Sequence, residues 1–392
     1  MKTDEVMKLD EEYVVHTYKR TPLVLVRGQG ARVWDSEGNE YLDFLGGIAV
    51  NSLGHCHPAM VKAIQEQAAK LIHVSNLYYI EPQVRLARLL AANSFGDKSF
   101  FCNSGAEANE AAIKLARRYG KEKRYEIIAM EGSFHGRTLA TVAATGQDKY
   151  RKGLEPLPAG FKVVPFNNLE AVAGAVGQET CAVMVEPIQG EGGINVASGD
   201  YLKGLRRICD DNGLLLILDE VQCGLARTGR LFCYEHYGIE PDIMTLAKGM
   251  GGGFPVGAMI ATNEVASAFS PGDHASTFGG NPLACAVAYT VLETILEEGL
   301  VANAEWVGEY LMEKLREHQS RYSFVREVRG KGLMIGMELE TKAQDVVAEC
   351  QKRGILINCI VDRVLRFVPP LIVTKEEVNQ VVDVLDDVFD RL

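Results

Sequence analysis

Two short apolar runs that each stop at a single ionisable residue constrain this chain more than any other feature in it. Residues 214–218 are five consecutive aliphatic side chains, entered from Gly213 and ended by Asp219 and Glu220. A strand with one wet face alternates apolar and polar side chains. A run without alternation reads as a strand covered on both faces, in the middle of a parallel sheet. Asp219 then stands at the carboxyl end of that strand, where open α/β sheets bind ligands. An acid in such a place needs a cation or hydrogen-bond donors, whether it serves a ligand, a helix cap or a buried salt bridge. The second run, 243–247, ends at Lys248, which Gly249, Gly251, Gly252 and Gly253 follow. It puts one amine at a second strand end, in a loop with unusual backbone freedom. Poor solvation there favours the neutral amine and makes Lys248 a candidate Schiff-base nucleophile; the alternative is a surface lysine beside a glycine-rich turn.

Other strand ends carry further candidates. A short apolar strand at 99–102 leads into Ser104, Gly105 and Ala106 and then an Ala-rich helix, an arrangement that offers free backbone N–H groups and a helix dipole to a phosphate. Ser104 with Glu107 three residues on also reads as a capping box, and Glu107 would oppose a phosphate unless turned away. After a strand at 127–129, Phe134 could cover one face of a planar ring or belong to the core. Arg137 could receive a carboxylate through its two-pronged guanidinium or remain a surface charge. The strand 181–186 opens into a loop in which Glu191 sits among glycines, and Arg366 stands in an apolar run, 365–370, where it needs an anion. His55, Cys56 and His57 are adjacent and lack further ligands at zinc spacing, so they read as loop residues and not a metal centre.

Helical spacing adds the frame. Pro58 suits the first position of a helix carrying Met60, Ile64, Ala68 and Leu71, and 81–92 forms another. Pro282 starts a long helix. The last helix begins at a Thr374–Glu377 capping box, with Val378, Val381, Val382, Leu385, Val388 and Leu392 on one face. Residues 33–35 and 40–44 read as small strands about a turn at 36–39.

Asp219-Glu220-Val221-Gln222 and Lys248-Gly249, in this order and separation, are similar to the fold-type I pyridoxal-phosphate enzymes, specifically the class III aminotransferases, and the resemblance runs from about residue 15 to the end of the chain. It implies a large domain with a mostly parallel seven-stranded sheet flanked by helices, plus a smaller α+β domain built from both termini. The corresponding limits are 1–50 for an N-terminal part of the small domain, 51–280 for the cofactor-binding domain and 281–392 for the rest of the small domain. It implies pyridoxal 5'-phosphate as cofactor, with Lys248 forming the Schiff base and Asp219 holding the ring nitrogen protonated. Ser104, Gly105 and Ala106 would hold the phosphate, joined by Thr277 from a neighbouring subunit. Phe134 and Val221 would cover the two ring faces, and Gln222 would lie near the 3-hydroxyl. Arg137, Ser276, Asn76 and the switchable pair Glu191–Arg366 would bind substrates. The segment Ser75-Asn76-Leu77-Tyr78-Tyr79 and Ile48, which stands where ornithine aminotransferases carry a Tyr, resemble the branch that moves the δ-amine of N2-acetyl-L-ornithine to 2-oxoglutarate in arginine biosynthesis. Ornithine, succinyl-diaminopimelate and 4-aminobutyrate remain open as donors, and the motifs leave room for an aminomutase or decarboxylase.

Composition narrows the alternatives. A net charge of −11 argues against nucleic acid or an anionic membrane as partner. No apolar run reaches the length of a bilayer span, and residues 1–20 mix Lys with Asp and Glu, unlike a targeting segment; a cytoplasmic homodimer acting on small molecules is expected. Nine scattered cysteines read as reduced, packed thiols. No Gly-x-Gly-x-x-Gly follows an early strand, which speaks against a dinucleotide-binding oxidoreductase. A vestigial, non-enzymatic relative would have lost Lys248 or Asp219, and both are present.

Overall fold

The computed structural model describes residues 1–121 and 123–392. Its centre is a seven-stranded sheet in the order Lys98–Cys102, Gly257–Ala261, Ile243–Leu246, Leu215–Asp219, Thr180–Val185, Glu126–Met130 and Phe161–Val164. Six strands run parallel, and Gly257–Ala261 alone is antiparallel to both of its neighbours. The aliphatic run ending at Asp219 is the middle strand and is buried along its whole length, as its lack of alternation requires. Because the six strands share one direction, their carboxyl ends open on one edge of the sheet. Every loop leaving that edge can meet the others there.

Helices cover both faces. Gly105–Tyr119 buries an Ala-rich stripe against the strands, and small side chains let it approach closely. Pro282–Glu297 packs on Pro58–Ala68 and Glu81–Asn93. A second sheet, all antiparallel, has the order Val325–Lys331, Met334–Leu339, Val364–Phe367, Asn358–Ile360. Near the N-terminus, Leu25–Gln29, Arg32–Asp35 and Glu40–Asp43 form a meander that Ile355–Leu356 joins in parallel. The two ends of the chain thus share one sheet.

The capping box at Thr374 and Glu377 is present, and Val378, Val381, Val382, Leu385 and Val388 are buried. Leu392 departs from the expected face. The helix ends at Phe389, whose buried ring completes the stripe, and Leu392 lies beyond it, 61% exposed. Leu71 is likewise past the end of its helix at Ala68 and exposed, because the chain leaves the helical path before the next turn. Residues Thr3–Tyr13 form an amphipathic helix with no buried residue.

All nine cysteines are free and seven are buried; burial pushes the Cys102 and Cys181 thiols up to about 12. His55 pairs with Asp43 at 2.8 Å while His57 faces Glu298, so the two rings do not converge on one point. No described helix is long and apolar enough to cross a membrane.

Candidate active site

Five parallel strand ends converge on a cavity of about 380 Å³. Leu215–Asp219 brings Asp219, and the turn after it brings Val221 and Gln222. Ile243–Leu246 brings Lys248. Lys98–Cys102 brings Ser104, Gly105 and Ala106, Glu126–Met130 brings Phe134 and Arg137, and Thr180–Val185 brings Glu186 and Glu191.

Asp219 is 3% exposed and fully engaged. Its Oδ1 accepts from the Val221 N–H at 3.0 Å; its Oδ2 accepts from Asn109 Nδ2 at 2.8 Å and from His135 Nδ1 at 2.7 Å. Asn109 is oriented in turn by the buried Thr245 hydroxyl, which donates to its Oδ1 at 2.7 Å. Burial works against a charged His135 ring, but contact with Asp219 outweighs it and His135 titrates above an ordinary imidazole. Its Nε2 is buried without a partner among the described residues. Glu186 accepts from the N–H groups of Phe134 and Gly190, and burial pushes its carboxyl up.

Lys248 occupies a backbone conformation with φ +41°, which non-glycine residues adopt only where the surroundings over-determine it. Burial lowers its amine below the ordinary lysine value, with Glu191 opposing that shift. A lowered amine at a strand end, beside a buried acid on the adjacent strand, is a nucleophile and proton carrier in one group.

At the start of the helix Gly105–Tyr119, Ser104 Oγ accepts from the Glu107 N–H at 3.2 Å and keeps its own proton for another partner. Glu107 turns back to Asn103, taking its backbone N–H at 2.6 Å and its amide at 2.9 Å. That settles the direction of Glu107, and only half of a capping box forms. The N–H groups of Gly105 and Ala106 have no intrahelical acceptor and face the cavity end of the dipole. A Cβ at Gly105 would stand 2.7 Å from Val221, so only glycine fits here.

A wider cavity of about 790 Å³ shares Glu191 and is also lined by Ile48, Tyr150, Asn358 and Arg366. Arg366 Nη1 donates to Glu191 Oε1 at 2.5 Å. Burial alone would raise the Glu191 carboxyl, but Arg366 and Lys248 outweigh it and hold it below its ordinary value. Gln222 bridges the pair: its Nε2 donates to Glu191 at 3.3 Å and its Oε1 accepts from Arg366 at 3.2 Å. Arg137 lies over the Tyr150 ring at 4.2 Å and beside Phe134, its guanidinium exposed.

The family model for class-III aminotransferases matches residues 13–389. The chain belongs to that family. An acetylornithine aminotransferase of Caldanaerobacter subterraneus subsp. tengcongensis is 57% identical over 388 residues, 98% of each chain. Another, of Methanocaldococcus jannaschii, is 53% identical over the whole of both chains. An ornithine aminotransferase structure from Toxoplasma gondii, described with partial occupancy of PLP at its active site, is 35% identical with a TM-score of 0.96, covering 100% of this chain and 94% of that one.

Asn76 and Ser276 do not line this cavity, and neither does Thr277, which is expected to serve a neighbouring subunit's site and not its own. Asn76 and Thr277 are exposed, and Asn76 donates to the carbonyls of Ser276 and Gly279. Ser276 Oγ accepts from the Asn103 amide at 3.3 Å and from the Gly279 N–H at 3.0 Å. Four residues at the site escaped the sequence reading. Asn109 is a polar side chain on the buried stripe of an Ala-rich helix, and Glu186 ends an apolar strand just as Asp219 does; both signals were present. His135 and Asn358 gave none: the partner of His135 lies 84 residues away, and the pairing of Asn358 with Arg366 depends on strand register.

The residues fit pyridoxal phosphate. Free N–H groups and a hydroxyl at a helix start suit its phosphate, the hydrogen-bonded Asp219 suits its ring nitrogen, Phe134 and Val221 offer apolar cover, and Lys248 supplies the amine.

Proposed function

We propose that this protein transfers the δ-amine of N2-acetyl-L-ornithine to 2-oxoglutarate with pyridoxal phosphate as cofactor, as a homodimer in the cytoplasm. The observation that supports this reading is the union, in one cavity, of Lys248 and Asp219 from adjacent strands with Glu191, which pairs with Arg366 of the adjoining wider cavity. When bound, the cofactor supplies an aldehyde for amines and a ring that withdraws electrons from the reacting carbon.

The protein's own groups do the rest. Asp219, fixed by three donors, holds a proton at the ring nitrogen. Lys248 Nζ removes a proton from the carbon bearing the substrate amine and delivers it to the acceptor carbon, a task for which a lowered amine is suited. Ser104 and the helix start anchor the phosphate. Arg137 receives the far carboxylate of either substrate. Arg366 receives the α-carboxylate of glutamate, and Glu191 neutralises it while N-acetylornithine, which presents no carboxylate there, is bound. Ile48 offers an apolar wall beside Glu191 that suits an acetyl group better than the free α-ammonium of ornithine.

Exposed Leu77, Tyr78, Tyr79 and Phe278 surround Asn76 and Thr277 and support a second subunit against this face, where Thr277 would serve the partner's phosphate. Free, packed thiols support a reducing compartment.

The test is the visible spectrum of the yellow holoprotein. N-acetylornithine should bleach it at lower concentration than ornithine or 4-aminobutyrate, and 2-oxoglutarate should restore it. Better bleaching by ornithine would reassign the donor, and a protein that stays colourless with pyridoxal phosphate would overturn the reading of Lys248.

A further inference from the structure

Arg366 is gripped on two edges, and only one grip belongs to its pair with Glu191. Asn358 lies directly opposite Arg366 in the antiparallel ladder, which sets the two side chains on the same face of the small sheet. Asn358 Oδ1 accepts from Arg366 Nε at 3.1 Å. On the other edge Nη1 serves Glu191 and Gln222, while Nη2 has no protein partner among the described residues. The strand Val364–Phe367 is hydrogen-bonded on both sides, so the backbone under Arg366 is fixed. The Arg366 side chain is 1% exposed, against 22% for Glu191.

We propose that Asn358 is a positioning residue that keeps Arg366 in place when Glu191 leaves it, so that substrates are sorted by moving a carboxylate past a stationary guanidinium. The inference rests on the reading of Arg366 as the receptor for glutamate's α-carboxylate. The bond at Nε occupies the inner edge of the guanidinium and turns the Nη1–Nη2 edge to the cavity, where a carboxylate can engage two parallel N–H groups. An amide does this without cancelling the charge. Without it, Arg366 is tethered chiefly through Nη1 and follows Glu191, and an incoming carboxylate must separate an ion pair instead of displacing one member of it. A carboxylate at 358 would hold the guanidinium equally well and neutralise it.

The experiment is calorimetric titration of the holoenzyme with glutarate, which carries two carboxylates, and with pentanoate, which carries one and engages Arg137 alone. Wild type binds glutarate more tightly. Asn358→Ala should weaken glutarate by roughly tenfold to a hundredfold, the range for losing one bond to a charged group, and leave pentanoate unchanged. Asn358→Asp should bind the two ligands alike. Asn358→Ser, whose hydroxyl does not reach Nε, replaces the alanine variant if that one does not fold. Glutarate held by Asn358→Ala as tightly as by wild type, or an equal loss of both ligands, overturns the proposal. A wild type that binds glutarate no better than pentanoate overturns the carboxylate role of Arg366 itself, and is a distinct outcome.

Discussion

Replacing Glu191 by alanine separates the two half-reactions. Removing one partner of a fully buried ion pair costs about 3–5 kcal/mol, because the other charge is left without solvent or counter-charge. Arg366 meets that condition; Glu191, 22% exposed, does not entirely, so water entering from the wider cavity replaces part of the lost carboxylate. Gln222 and Asn358 also remain on the guanidinium. The uncompensated cost falls to about 2–3 kcal/mol. During the glutamate half-reaction the substrate's own α-carboxylate fills the gap and the cost vanishes. During the acetylornithine half-reaction nothing fills it. The ratio of the two second-order constants therefore shifts toward glutamate by roughly 30- to 150-fold, at about 1.4 kcal/mol per factor of ten. Stopped-flow absorbance with one amino donor at a time measures each constant separately. An equal loss in both, or a ratio within about threefold of wild type, would refute the account of Glu191 as the partner that leaves.

Three further substitutions probe other parts of the argument. Gly190→Ala puts a Cβ 2.4 Å from the Gln222 amide, so the bridge between Glu191 and Arg366 must shift; overpacking of this kind costs about 1–3 kcal/mol, and glutamate should lose more than a fivefold share of its half-reaction rate. Glu220, which accepts from the N–H groups of Cys233 and Tyr234, is raised by burial to about 8. A carboxyl with a folded value above its unfolded one binds more protons in the native state, so its contribution is present below about pH 4.5 and is lost as pH rises through about 8. Urea unfolding at pH 5 and pH 8.5 should show a smaller fall in stability for Glu220→Gln than for wild type. Thr277→Ala, at an exposed site outside the cavity lined by its own Lys248, should raise the dissociation constant of pyridoxal phosphate roughly tenfold, measured by equilibrium dialysis; unchanged retention would remove the shared-site reading.

What the sequence disclosed and what it withheld follow from range. Asp219 and Lys248 were legible because an unbroken apolar run ended by one charge declares a buried strand and its open end in a single stretch of chain. Ser104 was legible as a cap or as an anion anchor, and the structure shows how one hydroxyl serves the first while staying available for the second. Asn109 and Glu186 were readable on the same grounds, as polar groups on otherwise apolar faces, and were passed over. The bond from Asn358 to Arg366 depends on strand register, and the contact of His135 with Asp219 spans 84 residues, so neither had a local signature. The left-handed backbone at Lys248 and Ile48 was hidden for another reason: each is a side chain that avoids that conformation and is held there by its neighbours.

The loop carrying Glu191 is tied down at several points. Arg329 donates through Nε and Nη2 to the Gly193 carbonyl, and the Asn195 amide donates to Gly192 O and to Gln189. With its backbone pinned, the Glu191 carboxylate has only its side-chain torsions to move by; exposed torsions turn over in picoseconds to nanoseconds, and a barrier of about 2–3 kcal/mol for leaving Arg366 slows this by only about 30- to 150-fold, still far faster than a loop rearrangement. An enzyme turning over at roughly 1 to 1,000 per second would sample both positions of the carboxylate many times in each cycle. Choice between the two substrates is then an equilibrium property of the pair, with no waiting step, and alternating donors should produce no lag.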